Sequence, residues 1–379
     1  ASNIIDGIDV VVYTAAIHKD NEEYQAAVQK GLPMLTRAEL LGQLMTNYDI
    51  PIAVSGTHGK TTTTSMISHI LLAGKMDPTI SVGGILKAIG GNIRVGNSEI
   101  FVTEACEYTN SFLSFFPKIS VILNIDEDHL DFFKDLEDIR NSFHRFAKLL
   151  PKDGTLVING DIDRLDEITG DLDCKIVTYG TNPSATYHAA NVTHDELGEA
   201  SFDLVKNGEF VDRISLSVSG DHNVSNALAA LAVADLLDVN VSVAKKGLKE
   251  FHGTDRRFEY KGETNGVTII DDYAHHPTEI AATLTAARNY PHGRIICVFQ
   301  PHTYTRTKAF WNQFSDALTL ADVVVLADVY AARETDTLGI HCEDLADDIR
   351  SGRVQPDPAG PRFKGFAYVI QSGSMLPRA

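Results

Sequence analysis

The chain of 379 residues carries 51 acidic and 33 basic residues, a net charge of −18, and 44% of its residues are hydrophobic. This length allows two or three domains with sizeable cores, and the composition is that of a globular protein, which excludes bulk disorder. The negative charge disfavours nonspecific binding to nucleic acid or anionic membranes, so an anionic ligand requires a local basic site.

Cysteine usage and hydropathy indicate a cytoplasmic protein. The four cysteines lie far apart, which favours neither a disulfide framework nor a zinc ribbon. No segment reaches the roughly 18 to 20 apolar residues that a membrane helix requires, and the N-terminus lacks the pattern of a signal peptide. We therefore expect cytoplasmic localisation without membrane insertion, and the sequence leaves the oligomeric state open.

Residues 1–46 alternate short apolar runs with helical patterns, which is typical of a βαβα segment with parallel strands. The segment is too short for a whole domain and starts without methionine. We expect it to be the last part of a domain, most of which would lie upstream.

Residues 47–253 predict one α/β domain. Its first strand, residues 51–54, leads through a glycine-containing loop into a helix from residue 61 to about 73. Residues 187–218 alternate in the manner of antiparallel strands. Further strands are predicted at 100–103, 119–123, 155–158 and 175–178, and helices at 136–150, 223–237 and 241–250.

Residues 254–350 predict a third, Rossmann-like unit of doubly wound α/β type, with strands near 267–270, 294–299 and 323–326. Residues 351–379 contain four prolines and no clear helical period, so we expect an atypical tail outside the preceding fold.

The strongest functional motif is GTHGKTT, which follows an apolar strand and opens a helix. Backbone N–H groups and the helix N-terminus can surround phosphate oxygens there, while a lysine neutralises charge and a threonine hydroxyl ligates magnesium. The loop is shorter than the general G-x-x-x-x-G-K-[ST] pattern, and the alternative is an ordinary glycine turn. The candidate phosphate-binding residues are Gly56, Thr57, His58, Gly59, Lys60, Thr61 and Thr62.

Two acidic motifs follow predicted strands of the same sheet. Residues 103–107, TEACE, offer Glu104 or Glu107 as a magnesium ligand, because magnesium prefers carboxylates combined with phosphate oxygens. Residues 124–131 surround His129 with carboxylates, which can hold a divalent cation or tune a proton carrier. The alternatives are solvated surface acids and a helix cap with incidental charge.

Other candidates lie at the start of the predicted helix 223–237 and on one rim of the third unit. Asn223 and Asn226 can read an adenine edge, although asparagine at a helix start is more often a cap. The rim motifs, at residues 254–258, 271–277 and 300–306, contain histidines and arginines that suit anionic substrates. A zinc site formed by His275, His276 and His302 is an unfavoured alternative.

In this order and spacing, the motifs resemble those of the Mur ligase family of ATP-dependent amide-bond ligases, over roughly residues 9–350. Within that family the chain is similar to the member that joins L-alanine to UDP-N-acetylmuramate. The motifs that carry the resemblance are GTHGKTTTT at 56–64, TEACEYTNSFL at 103–113, NIDEDHLDFF at 124–133, DHNVSNALAA at 221–230, DDYAHHPTEI at 271–280 and FQPHTYTRT at 299–307.

The resemblance implies a multidomain α/β fold with a central P-loop ATPase domain, a parallel-rich sheet and a Rossmann-like C-terminal domain. It also implies that residues 1–46 are a remnant of an N-terminal, Rossmann-like, UDP-binding domain. It implies that ATP and Mg²⁺ activate the substrate carboxylate as an acyl phosphate, which the amine of L-alanine attacks. Implied roles are phosphate binding for Lys60, magnesium binding for Thr61, Glu104 and His129, nucleotide binding for Asn223, Asn226, Arg257 and Asp272, and contact with the amino acid and the reacting groups for Tyr273, His275 and Arg306.

Three other functions stay open. A murein-peptide ligase would attach a tripeptide to the same nucleotide sugar, and an inactive fragment would bind ATP without ligating anything. A P-loop switch or motor protein would require the longer phosphate loop and receives little support.

Overall fold

The computed structural model describes residues 1–14, 17–332, 334–336 and 338–351, together with the backbone of residues 366–370. Its first segment has the predicted βαβα order, and its two strands pair in parallel. The elements are β1 Val11–Tyr13, α1 Glu22–Gln29, β2 Met34–Thr36 and α2 Arg37–Met45. Helix α2 begins with a capping box, in which the Thr36 hydroxyl accepts the backbone N–H of Glu39 and the Glu39 carboxylate accepts that of Thr36.

The next part of the chain forms a sheet in the order β12-β11-β10-β9-β8-β7-β3-β6-β4-β5. The pairs from β10 to β4 are parallel, and the pairs at both ends are antiparallel, which confirms the predicted antiparallel region around residues 187–218. The strands are β3 Ile50–Ser55, β4 Thr79–Leu86, β5 Gly91–Arg94, β6 Ile100–Glu104, β7 Ile119–Ile122, β8 Thr155–Asn159, β9 Lys175–Gly180, β10 Tyr187–His194, β11 Glu199–Lys206 and β12 Glu209–Ser219.

Helices cover both faces of this sheet, and each face has its own hydrophobic core. One core includes buried residues of α3, α6 and α7, and the other includes buried residues of α4. Parallel strands buried on both faces form continuous apolar runs, and for that reason the sequence predicted β3, β6, β7, β8 and β9. It did not predict β4, whose run contains two glycines. The helices are α3 Lys60–Ala73, α4 Leu136–Ala147, α5 Asp166–Thr169, α6 His222–Leu236 and α7 Val241–Lys249, with 3₁₀ turns at Lys87–Ile89 and Tyr108–Ser114.

Strand β3 lies between β6 and β7 and is parallel to both. The carboxyl ends of the three strands therefore share one edge of the sheet, where α/β proteins bind ligands. The loop at 56–59, the carboxylates after residue 103 and the acidic segment 124–131 meet at this edge, as the order of motifs predicts.

The remaining described residues form a hairpin, a smaller parallel sheet and helices around a third core. The elements are β13 Glu259–Thr264, β14 Val267–Asp271, α8 Pro277–Asn289, β15 Ile296–Phe299, α9 Tyr304–Ala309, α10 Trp311–Leu318, β16 Val323–Ala327, α11 Cys342–Ser351 and β17 Phe366–Ile370. No helix in the described part of the chain is long and apolar enough to span a membrane.

Two expectations for this region need correction. The strand at 267–271 pairs antiparallel with β13 in a separate hairpin, not with the parallel strands of the third unit. Its short apolar run is compatible with either partner, so the sequence pattern did not distinguish them. Residues 366–370, predicted to be tail, pair in parallel with β16 and so extend the small sheet. The rest of the predicted tail after residue 351 lies outside the described residues.

Candidate functional site

The loop between β3 and α3 requires glycine at two positions. Gly56 has φ +144°, and a Cβ there would lie 2.8 Å from the Cβ of Leu123. Gly59 has φ +84°, and a Cβ there would lie 2.7 Å from Oδ1 of Asn226. Gly59 precedes α3 without a side-chain cap. The first N–H groups of α3 therefore have no competing side-chain acceptor at the N-cap, which suits an anion.

The segment after β7 fixes the conformation of this loop. The backbone N–H of His58 donates to Oδ1 of Asn124 at 2.7 Å, and Nδ2 of Asn124 donates to the carbonyl of His58 at 3.0 Å. The backbone N–H of Asp126 donates to the hydroxyl of Thr57 at 2.9 Å. Three hydrogen bonds thus hold the two loops in one orientation, which supports preorganisation for a ligand.

Lys60 forms a buried ion pair with Glu107, which is 2% exposed. Its ammonium donates to the two carboxylate oxygens at 2.9 and 3.2 Å and to the carbonyl of Thr57 at 3.0 Å. Burial by itself lowers the pKa of Lys60, but the charge and hydrogen bond of Glu107, together with Cys106 and Glu104, outweigh burial and raise that pKa above its ordinary value. Lys60 therefore stays charged and is anchored at the phosphate loop.

The two carboxylates of the TEACE motif have different partners. Glu104 accepts a hydrogen bond from the hydroxyl of Thr61 at 3.1 Å and another from the backbone of Gly83, while burial raises its pKa. Glu107 faces His129, with 3.8 Å between Oε1 and Nε2. The described contacts thus place Thr61 beside Glu104 and His129 beside Glu107. The sequence alone did not decide between these two carboxylates as magnesium ligands.

His129 lies in a confined position. Its ring stacks on Tyr108, with centroids 4.5 Å apart, and its Nε2 lies 3.7 Å from the Asp128 carboxylate. Burial lowers the pKa of His129 in spite of the neighbouring carboxylates, which favours a neutral imidazole able to act as a ligand. In the described residues, no cluster of three or more histidine, cysteine or acidic side chains could hold a metal ion by itself.

A cavity of about 420 Å³ adjoins the phosphate loop, within the usual range for small-molecule sites. Asn223 and Asn226 both line it. Nδ2 of Asn226 donates to Oδ1 of Asn223 at 3.1 Å, and Nδ2 of Asn223 donates to the carbonyl of Ser219 at 2.7 Å. The amides lie within α6 and accept no backbone N–H at its start, which argues against the capping alternative. Other lining residues are His58, Gly59, Thr61, Thr62, Arg257, Asp272 and Glu279.

Arg257 and Asp272 enter this cavity from the C-terminal part of the chain. Asp272 accepts the backbone N–H groups of Phe258 at 2.8 Å and Ala274 at 2.7 Å, and burial raises its pKa. Arg257 lies over the ring of Tyr273, 5.7 Å from its centroid. Asp272 therefore fixes the loops that carry Arg257 and Tyr273 at the cavity.

The predicted amino-acid side of the site lies next to His129. Arg306 donates to Oδ1 of Asp128 from Nη2 at 2.8 Å and from Nε at 3.2 Å, and both side chains are largely buried. Burial would raise the pKa of Asp128, but its interactions with His129, whose backbone N–H it accepts, and with the Arg306 guanidinium lower it to about 2. His275 bonds the carbonyl of Tyr273 through Nδ1 at 2.9 Å. The structure thus brings the substrate-side candidates to the sheet edge that carries the phosphate loop.

The zinc alternative is wrong for the described residues. Nε2 of His276 lies 3.0 Å from the carbonyl of Glu127, and its Nδ1 accepts the backbone N–H of Thr278. The rings of His275 and His302 are 6.1 Å apart. The described part of the chain holds no group of such ligands arranged for a metal.

Comparison with known proteins assigns the family. The model of the "Mur ligase middle domain" matches residues 54–234, that of the "Mur ligase, glutamate ligase domain" residues 256–368, and that of the "Mur ligase family, catalytic domain" residues 1–49. A UDP-N-acetylmuramate–L-alanine ligase of Lachnospira eligens is 61% identical over 352 residues, which cover 93% of this chain and 77% of the relative. The chain belongs to the Mur ligase family. It is therefore an ATP-dependent ligase that forms amide bonds.

Solved structures of Mur ligases share this fold. The UDP-N-acetylmuramate–alanine ligase of Thermotoga maritima superposes with a TM-score of 0.79 at 29% identity, covering 98% of this chain and 78% of that one. A murein peptide ligase of Psychrobacter arcticus superposes with a TM-score of 0.68 at 25% identity, covering 96% and 78%. The predicted α/β multidomain fold with a parallel-rich central sheet is confirmed.

Sequence reasoning missed the parts played by Asn124, Asp128 and Glu279 in this Mur ligase site. Asn124 and Asp128 belong to the acidic motif, but their partners are 66 and 178 residues away in the chain. Glu279 carries a readable local signal, because glutamate three residues after a helix cap is typical of a capping box. The contact between Glu279 and His58 joins residues 221 positions apart, and no local sequence pattern indicates it.

Proposed function

We propose that this chain joins L-alanine to the carboxylate of UDP-N-acetylmuramate with hydrolysis of ATP, a step that supplies peptidoglycan precursors. The proposal rests on one observation: the phosphate loop with Lys60 lies at the same sheet edge as the ion pair of Arg306 and Asp128. That ion pair lies next to His129. The 61% identical relative, which is named for this ligation, supports the choice of substrates.

The chain would divide into a remnant of a UDP-binding unit at 1–46, an ATP-binding unit at 47–253 and an amino-acid-binding unit that begins at residue 254 and includes β17. The family models change at similar positions. The acidic composition disfavours nonspecific binding to nucleic acid and anionic membranes, and the proposed partners are small-molecule substrates in the cytoplasm.

ATP would bind with its phosphates on residues 56–62 and its nucleoside in the adjoining cavity. Lys60 would neutralise phosphate charge, and the backbone N–H groups at the start of α3 would donate hydrogen bonds to phosphate oxygens. Asn223 and Asn226 would contact the nucleoside from α6, while Arg257 and the loops held by Asp272 would cover it from the C-terminal side.

Magnesium ions fit the donors that the chain presents. Thr61 and Glu104 offer oxygens within hydrogen-bonding distance of each other, and His129 and Glu107 form a second pair nearby. Magnesium needs few protein ligands, because phosphate oxygens and water complete its octahedron. When bound, it would offset the repulsion between the γ-phosphate and the substrate carboxylate.

The reaction would proceed in two displacements. A carboxylate oxygen of the substrate attacks the γ-phosphorus, the bond to the β-phosphate oxygen breaks, and Lys60 stabilises the charge that develops on the phosphates. The neutral amine of L-alanine then attacks the acyl carbon, and inorganic phosphate leaves as the C–O bond breaks. Arg306 would stabilise the tetrahedral oxyanion, His275 would accept the amine proton, and Tyr273 would help to orient the amino acid.

The test is product identity with each amine. The chain would be incubated with ATP, Mg²⁺ and UDP-N-acetylmuramate, plus either L-alanine or the tripeptide that a murein-peptide ligase would use. The proposal expects the mass of the L-alanine adduct and no tripeptide adduct. A preference for the tripeptide would establish the other ligase, and binding of an ATP analogue without either product would identify an inactive ATP-binding chain.

A further inference from the structure

Glu279 connects two structural features through its two carboxylate oxygens. It occupies the third position of α8, where its Oε2 accepts the backbone N–H groups of His275 at 3.1 Å and His276 at 3.4 Å. His276 completes a capping box by accepting a backbone N–H through Nδ1. One oxygen of Glu279 therefore serves the helix start, and the other is available for a different partner.

That other oxygen reaches the phosphate loop. Oε1 of Glu279 lies 3.2 Å from Nδ1 of His58 and 3.9 Å from Nη1 of Arg257. The side chains of Glu279 and His58 are only 15% and 13% exposed. A hydrogen bond with an ionised acceptor in such a shielded place is stronger than a neutral one at the surface.

The surrounding groups leave His58 few other orientations. Its ring packs against His276 with centroids 4.9 Å apart, and its Nε2 is buried, 3.7 Å from the carboxylate of Asp126. Its backbone is already held by Asn124. A change in the position of α8 is therefore transmitted to the phosphate loop through the contact between His58 and Glu279.

We propose that Glu279 is a positioning residue for ligation: through His58 it ties the start of α8 to the phosphate loop. The γ-phosphate site is then correctly positioned relative to Tyr273, His275 and Arg306 only when the start of α8 contacts the phosphate loop. The inference rests on the proposed function, because the rate of ligation is one of its measurements. A misplacement of about 1 Å between reacting groups can cost about a hundredfold in that rate.

The test uses Glu279→Ala with a matched control. Glu39→Ala removes the equivalent carboxylate from the capping box of α2, which lies in the first unit of the chain. We expect Glu39→Ala to lose the stability of its helix cap alone, and Glu279→Ala to lose more, because that variant also lacks the contact with His58. Only Glu279→Ala should lower kcat, by at least about tenfold, or about 1.4 kcal/mol, with less than about threefold change in KM for ATP.

A double-mutant cycle with His58→Ala isolates the contact. The variant lacking both side chains should turn over no more than about twofold slower than the slower single variant. Multiplicative losses, or a kcat of Glu279→Ala within about twofold of the unchanged chain, would overturn the inference.

Hydrogen exchange separates this inference from the proposed function. Measured on the unliganded chain, exchange of residues 56–62 should become faster in Glu279→Ala and stay unchanged in Glu39→Ala. Unchanged exchange in Glu279→Ala would refute the positioning role even if the chain ligates L-alanine. Failure of the unchanged chain to ligate L-alanine would refute the proposed function, while the exchange result would still decide the role of Glu279.

Discussion

Replacing Lys60 by methionine tests the ion pair on which the phosphate site is built. The substitution keeps most of the side-chain volume but leaves the Glu107 carboxylate, 2% exposed, without its cation. Removing one partner of a buried pair costs about 3 to 5 kcal/mol. For a unit of about 200 residues this corresponds to a decrease in Tm of about 6 to 20 °C.

The assay is thermal unfolding followed by circular dichroism, together with binding of a non-hydrolysable ATP analogue. Lys148→Met is the control, because it breaks an exposed pair with Asp171 and should cost less than about 1 kcal/mol. Adding Glu107→Gln to Lys60→Met should restore at least about half of the lost stability, since no unpaired charge stays buried, without restoring nucleotide binding. Equal Tm values for Lys60→Met and Lys148→Met, or a double variant less stable than Lys60→Met, would refute the reasoning.

Three further predictions concern His276, Gly59 and His129. Burial and the charge of His58 lower the pKa of His276 from 6.5 to about 4. Up to about 3 kcal/mol of stability is therefore present above pH 6.5 and lost as the pH falls toward 4. Urea unfolding at about pH 7 and about pH 5 should show this slope, and the slope should be shallower in His276→Asn, where the other buried histidines still contribute. Gly59→Ala and Gly208→Ala both place a Cβ at positive φ, but only the Cβ at position 59 would lie close to a neighbouring side chain. Calorimetry should therefore show at least about tenfold weaker ATP-analogue binding for Gly59→Ala and no such loss for Gly208→Ala. His129→Ala should raise the Mg²⁺ concentration for half-maximal turnover at least about fivefold while ADP binding without metal changes less than about twofold; the opposite pattern would remove His129 from the metal site.

The sequence predicted those features whose causes are local. Gly56 and Gly59 are needed by the backbone of a single loop, and the apolar run before them forms a strand buried on both faces. The motifs follow parallel strands, and parallel strands direct their carboxyl ends the same way. The loops after these strands were therefore predicted to lie at one edge of the sheet.

Contacts between distant segments could not be predicted in the same way. Lys60 and Glu107 are 47 residues apart in the chain. Both carboxylates of the TEACE motif follow the same strand, so the sequence did not distinguish them, and only the structure places Glu107 beside His129. The pairing of β14 with β13 was missed because a five-residue apolar strand specifies no partner.

The transfer of oxygen from substrate to phosphate tests the proposed reaction most directly. UDP-N-acetylmuramate labelled with ¹⁸O in its carboxylate would be turned over with ATP, Mg²⁺ and L-alanine, and the released phosphate analysed by mass spectrometry. An acyl-phosphate route places one carboxylate oxygen in each phosphate released. Phosphate without label, released together with the L-alanine adduct, would contradict activation of the carboxylate by the γ-phosphoryl group.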